Sequence, residues 1–165
     1  MILDSQQEAF RQAMRRLAAT VTVVATGSAP QRSGLTATAV CSLTVDPPQV
    51  LACLNASSAT CAAIREAGTF SVNLLPSHRQ GLAECFAGVG NLHGDQRFAR
   101  GDWTDETPGS PILHDAVAAM ACELRSAWQV DTHFIMIGAV QKLWLASEAL
   151  PLVYRNGQFG TWSPV

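Results

Sequence analysis

The chain has 165 residues, 48% of them apolar and only 15% charged, with a net charge of −2. That length supports one domain, residues 1–165, with a real core, and the near-neutral balance argues against nucleic acid or an anionic membrane as the main partner. No apolar run approaches the roughly 20 residues that cross a bilayer, and the opening Met-Ile-Leu-Asp-Ser does not read as a secretory leader. The charged share lies well below the roughly 25% usual for soluble domains, so part of the surface is expected to be covered, most simply in a homodimer. The five cysteines, at 41, 53, 61, 85 and 122, are never spaced C-x-x-C. Neither a disulfide framework nor a metal site is expected; a reduced, cytoplasmic setting is.

In chain order, Ser5-x-x-Glu8 forms a capping-box pattern ahead of Phe10, Ala13, Met14, Leu17 and Ala18 at helical spacing, which predicts an amphipathic helix to about Ala18. Val21 to Thr26 reads as a strand. From Gly34 to Val45 the sequence alternates: Leu35, Ala37, Ala39, Cys41, Leu43 and Val45 on one parity, Thr36, Thr38, Ser42 and Thr44 on the other. A period of two predicts one strand with an apolar face and a hydroxyl face, ended by Asp46-Pro47-Pro48. Val50 to Leu54 is a second strand, and a short helix from about Ser58 ends at Gly68. Phe70 to Leu75 is a strand, and Ser77-x-x-Gln80 is expected to cap a helix to about Phe86.

Residues 87–112 turn to Gly, Pro and scattered charge, and read as a lid or dimer-contact loop carrying Arg97-Phe98 and Trp103. Strands follow over Ala116 to Gln129, Phe134 to Ala146, Leu152 to Arg155 and Phe159 to Trp162, the last two around an Asn156-Gly157 turn. The Trp and Phe residues of this final third are expected in the core. Six or seven strands with two or three packed helices make an α+β fold, mainly antiparallel β, closed or split into a barrel.

The sequence holds no GxGxxG, P-loop, HExxH or GxSxG, and no carboxylate pair is placed for acid–base work. What it offers is Thr, Ser, Asn, backbone amides and a few aromatics. That inventory suits an enzyme whose bound partner carries the hard chemistry, and a strand–turn–strand followed by a helix start suits a planar, phosphate-bearing ligand. Each element also has a plainer reading. The hydroxyl stripe could be a wet strand face, Ser58 and Thr60 a helix cap, and His133 a structural residue.

The motifs Gly34-Leu-Thr-Ala-Thr-Ala-Val-Cys-Ser42, Asp46-Pro-Pro48, Cys53-Leu-Asn55 with Ser58-x-Thr60, and Phe70-x-Val-Asn-Leu74 resemble those of the short flavin reductases. So do Phe86-Ala-Gly88, Arg97-Phe98 with Trp103, and His133 five residues before Gly138; the ordered set covers about residues 5 to 160. The family includes the reductase components of two-component flavin-dependent monooxygenases, such as the 4-hydroxyphenylacetate 3-monooxygenase reductase type. The resemblance implies an FMN-binding split β-barrel that dimerises and uses NADH or NADPH to reduce FAD or FMN. The reduced flavin then leaves for a separate oxygenase. It implies further that Thr36, Ala37, Thr38 and Ala39 line the isoalloxazine edge, that Ser42, Cys53 and Asn55 approach the ring and ribityl chain, and that Ser58 and Thr60 hold the phosphate. His133 would stand near the nicotinamide, while Arg97 and Tyr154 could touch a diphosphate or the dinucleotide, or merely fix the loop. One departure stands out: many relatives have Gly-Asp-His where this chain has Asp131-Thr132-His133. Two other classes stay open, a flavoprotein that keeps its flavin and reduces another acceptor, and a non-catalytic flavin- or haem-binding split barrel.

Overall fold

The alternation from Gly34 to Val45 does not build one strand. The computed structural model describes residues 2–146 and 148–165, with side chains from Gln6 onward. In it the chain runs through α1 (Ile2–Met14), β1 (Ala19–Thr20), β2 (Thr22–Thr26), β3 (Ser33–Ala37), β4 (Val40–Val45), β5 (Pro48–Asn55), α2 (Ala59–Ala67), β6 (Thr69–Leu74) and α3 (Gln80–Phe86). A 3-10 turn over Gly94–Arg100 follows, then β7 (Trp103–Thr104), β8 (Ile112–Leu113), β9 (Ala118–Val130), β10 (His133–Leu145), β11 (Leu152–Arg155) and β12 (Gln158–Thr161).

Seven strands form one antiparallel sheet in the order β3-β2-β6-β9-β10-β5-β4. β3 and β4 are consecutive in the chain yet lie at its two opposite edges. Only Thr38 and Ala39 separate them, so the sheet must curl until its edges meet, and there Cys53 N–H donates to the Ala39 carbonyl at 2.9 Å. The result is a mainly antiparallel β-barrel with a seam, flanked by a few helices. The barrel sheet has seven strands, within the expected six or seven, and the described residues add five short strands outside it.

Val24, Val50, Leu54, Phe70, Val72, Phe134 and Met136 fill the barrel, and α2 closes one end with Cys61 and Ile64. Local chemistry sets the limits of α2: the Ser58 hydroxyl accepts from Cys61 N–H at 3.0 Å, and Gly68 ends the helix at φ 70°. A second core lies outside β2, where Val23, Ala83, Phe86, Phe98 and Leu113 pack together. β2 is thus buried on both faces, which suits the consecutive Val23, Val24 and Ala25 at its centre.

The segment 87–112 is no lid. Phe98, Ile112 and Leu113 are buried, and Phe98 meets Phe86 edge-on at 5.0 Å and Trp103 at 4.9 Å. From β6, Ser71 and Asn73 donate to the Pro111 carbonyl, and Asn73 Oδ1 accepts from Leu113 N–H at 2.9 Å. Arg32 lies over the Phe98 ring and pairs with Asp95 at 2.6 Å, an arginine hydrogen bond that holds this carboxyl below its usual range.

Three local expectations differ. α1 stops at Met14 rather than Ala18, with Phe10, Met14 and Leu17 exposed, and the Ser5 side chain expected to cap it lies outside the described residues. α3 begins at Gln80 behind Arg79 with no side-chain cap, so Ser77 lies two residues short of the N-cap position, its N–H donating to the Leu150 carbonyl. Trp128 and Trp162 are exposed, not core.

Candidate active site

The corner at Thr38–Ala39 organises the surroundings of the seam. Before it, Leu35 and Ala37 pack against the barrel interior, and Thr36 points outward, its hydroxyl donating to the Ala83 carbonyl at 2.6 Å. Beyond it Val40 packs against the interior, opposite Ala52, while Cys41, opposite Leu51, is exposed. The parity of the apolar residues therefore inverts across the corner, as a one-residue slip requires.

Two groups of expected site residues are brought together. In the first, Thr36, Thr38 and Tyr154 line a slot of about 350 Å³ with Ala83, Ala87 and Val89. Tyr154 is steadied there by Phe159, edge-on at 5.1 Å. The second lies along the β5–β10 ladder, where Cys53 stands opposite Ile135 and Asn55 opposite His133. Val50, Ala52 and Leu54 alternate with these residues and point into the barrel, so the Cys53–Asn55 parity faces out. Asn55 Oδ1 accepts from Ser57 N–H at 2.9 Å and from its hydroxyl at 2.8 Å, which folds the chain directly into the N-cap of α2.

Other expected residues are placed differently. Thr60 is buried and its hydroxyl is bonded to Ser33 at 2.8 Å. Arg97 is committed to carbonyls, its Nε to Leu92 at 2.8 Å and its Nη1 to Gly34 at 3.0 Å and Phe86 at 3.3 Å. The carbonyls of Ala37 and Ala39 accept from the Thr22 hydroxyl at 2.7 Å and from Cys53 N–H. Ser42 lines a separate cavity of about 640 Å³ at the open mouth of the barrel, with Thr22, Val50 and Met120. Thr38 borders both spaces.

His133 begins β10 after the two-residue turn Asp131–Thr132. Asp131 has φ 47°, the left-handed region that glycine takes without cost and aspartate tolerates. The turn thus explains the Gly-to-Asp departure sterically. The next position, an acid in many relatives, is Thr132 here, whose hydroxyl lies 2.9 Å from His133 Nδ1. Trp128, opposite Ile135 on β9, adds an exposed indole one rung along. Sequence reasoning placed that residue in the core because a tryptophan body reads as apolar whichever way it faces.

The donor set fits a flat, phosphate-bearing ring system. Small side chains at Ala83 and Ala87 leave the slot open, threonine hydroxyls and amide groups edge it, and a capped helix start offers amide N–H groups to an anion. The cysteines follow the same geometry. Cys41 is exposed and Cys53 half-buried, whereas burial pushes the Cys122 thiol up to about 12 and raises that of Cys61. Iodoacetamide is expected to alkylate half-buried Cys53 while Cys61 and Cys122 stay untouched until unfolding, as peptide mass spectrometry will read. Early labelling of Cys122 would contradict the barrel packing.

The fold is a split β-barrel, and the candidate site residues gather beside its seam. Residues 14–163 match the family described as flavin reductase like domain, and the chain belongs to that family. It is 34% identical over 159 residues to the 4-hydroxyphenylacetate 3-monooxygenase reductase component of Salmonella typhi, covering 96% of this chain and 94% of the relative. It is 40% identical over 148 residues to the FMN reductase (NADH) RutF of Pseudomonas syringae pv. syringae, covering 90% and 82%. Among solved structures, it is similar to the NADH:FAD oxidoreductase SgcE6 of Streptomyces globisporus in complex with NAD and FAD fragments. The TM-score is 0.87 at 25% identity, over 97% of this chain and 94% of that one.

Proposed function

We propose that this chain is an NAD(P)H:flavin oxidoreductase that reduces FAD or FMN and releases the product to a separate monooxygenase component. The observation that carries this reading is the adjacency of Asn55 and His133 on one rung at an open seam, in a chain similar throughout to reductase components. NAD(P)H, flavin and one proton yield NAD(P)⁺ and reduced flavin, the hydride passing from nicotinamide C4 to flavin N5 and the proton coming from solvent. The protein's part is alignment. Thr36, Thr38 and Tyr154 bound the ring slot, Cys53 and Asn55 continue it, and the start of α2 at Ser58 holds the phosphate. Thr60 supports that turn from below through Ser33, and Arg97 fixes the loop on which Ala87 sits. His133 positions the nicotinamide.

The seam is a surface groove rather than an enclosed cavity, which favours a flavin that exchanges. Aerobic oxidation of NADH and of NADPH, each with FMN, FAD, riboflavin or no flavin, tests the reading. Turnover is expected only with added flavin. Turnover without it would indicate a retained flavin and another acceptor, and flavin binding with no turnover would leave a binding module.

A homodimer completes the proposal. The barrel mouth and its exposed rim of Leu43, Val45, Leu143 and Leu145, with the uncovered apolar face of α1, are what a second copy would bury. Light scattering is expected to give twice the chain mass. No described helix is long and apolar enough to cross a membrane. A cytoplasmic setting, where thiols stay reduced and nicotinamide donors are abundant, suits the five unpaired cysteines.

A further inference from the structure

Ten of the eleven basic residues are arginines, and most of them are engaged. Arg11, Arg32, Arg79 and Arg125 pair with carboxylates, Arg97 holds carbonyls, and Arg65 lies over the Phe134 ring. Arg15, Arg16 and Arg155 are different. Arg16 and Arg155 are 139 residues apart in sequence, yet the end of α1 and the β11–β12 hairpin bring all three residues to one place. Two contacts hold them there: Asn156 N–H donates to the Arg15 carbonyl at 2.6 Å, and Arg155 Nε donates to the Arg16 carbonyl at 3.2 Å. The Arg15 guanidinium lies so close over the turn that a Cβ at Gly157 would fall 2.6 Å from its Nη2. Among the described residues no carboxylate pairs with any of the three.

Arg16 and Arg155 line a cleft of about 920 Å³ whose other walls include Phe159, Trp162, Asn156 and Gln158, and no Asp or Glu lines it. Two arginines on a cleft with no carboxylate among its lining residues offer an anion charge-assisted hydrogen bonds. An exposed indole and two amides beside the guanidinium groups are the groups that stack on a purine and bond its edge. The cleft also adjoins the ring slot: Tyr154 and Phe159 of the same hairpin line that slot, and Phe159 lines both spaces.

We propose that Arg16 and Arg155 form a phosphate site for the adenylate portion of a dinucleotide, with Trp162 as the platform for its base. The class of ligand rests on the flavin reductase reading; the anion site itself rests on the arginine geometry alone. An adenylate is common to the nicotinamide donor and to FAD, and is absent from FMN.

Calorimetric titration of the full chain with 5′-AMP, 2′,5′-ADP, adenosine and inorganic phosphate tests the site without any turnover. 5′-AMP is expected to bind at least tenfold more tightly than adenosine, and Arg16→Ala with Arg155→Ala to weaken it at least tenfold. Circular dichroism of the double variant checks its fold, and Trp162→Ala gives an independent loss that leaves all three arginines in place. Steady-state kinetics with FMN as acceptor then assign the source. A raised KM for NADH in the arginine variant places the donor's adenylate here. An unchanged KM with weakened binding of FAD but not FMN places the flavin's adenylate here. Tighter binding of 2′,5′-ADP than of 5′-AMP adds recognition of a 2′-phosphate. 5′-AMP binding that is absent, or unaltered by the arginine and tryptophan variants, overturns the proposal. Absence of NADH oxidation by the unaltered chain with every flavin, with 5′-AMP binding intact, would instead overturn the reductase reading.

Discussion

Alanine in place of Phe70 is expected to remove about 3–5 kcal/mol of stability, a large part of the roughly 5–15 kcal/mol that holds a domain of this size folded. Phe70 is wholly buried in the barrel interior on β6, opposite Cys122 of β9. The same ring excludes any side chain at Gly138 of β10. A Cβ there would fall 2.4 Å from Phe70 Cζ, 2.8 Å from Cε1 and 2.9 Å from Cys122 Cβ. Gly138→Ala is therefore expected to cost about 1–3 kcal/mol by overpacking. Urea unfolding followed by tryptophan fluorescence will show both as lower midpoints. The decisive measurement is the pair: Phe70→Leu shortens the ring that Gly138→Ala strikes, so the double variant should lose less than the sum of the singles. Strict additivity would mean that Gly138 is required for some reason other than this contact.

What the sequence made legible is what local chemistry decides. Ser58 and Gly68 bound α2 because a hydroxyl cap and a left-handed residue act within one turn of the helix. Asn156 and Gly157, at φ 52° and 80°, make the hairpin turn for the same kind of reason. The ordered motifs named the family, and with it the barrel. What stayed hidden depends on distance in the chain. The strand from Gly34 to Val45 reads as continuous because its alternation scarcely falters, yet the seam splits it between opposite edges of the sheet. Residues 87–112 read as a loop because Gly and Pro dominate, while three buried side chains, Phe98, Ile112 and Leu113, anchor them. Nothing in the spacing of Arg15, Arg16 and Arg155 shows that α1 ends on the C-terminal hairpin. Thr60 and Arg97 carry the right chemistry for an anion, and only the fold reveals that their polar groups are bonded to Ser33 and to three carbonyls.

Removing the His133 imidazole is expected to lower kcat/KM for NADH by up to about a hundredfold, the size of effect that misalignment of two reacting groups produces, while flavin affinity stays within twofold of the parent. The two readouts separate because of where His133 stands. It heads β10 on the outer face, opposite Asn55 and one rung beyond Cys53 and Ile135, and is not among the residues that line the Thr36–Tyr154 slot. Its side chain is exposed and packs no core, so His133→Ala should fold with an unchanged urea midpoint. Thr132 supplies the control. Its hydroxyl lies 2.9 Å from His133 Nδ1 and is the imidazole's hydrogen-bond partner among the described residues. Thr132→Val keeps the shape and removes that bond, freeing the ring to turn, and should cost a smaller part of the same kcat/KM. In the His133→Ala background the threonine change should then cost nothing more, because the group it orients is gone. Equal losses from Thr132→Val in both backgrounds would show that the threonine acts on the turn at Asp131 instead. A His133→Ala enzyme with kcat/KM within twofold of the parent would take the histidine out of the site altogether, leaving alignment to the Asn55 side of the seam.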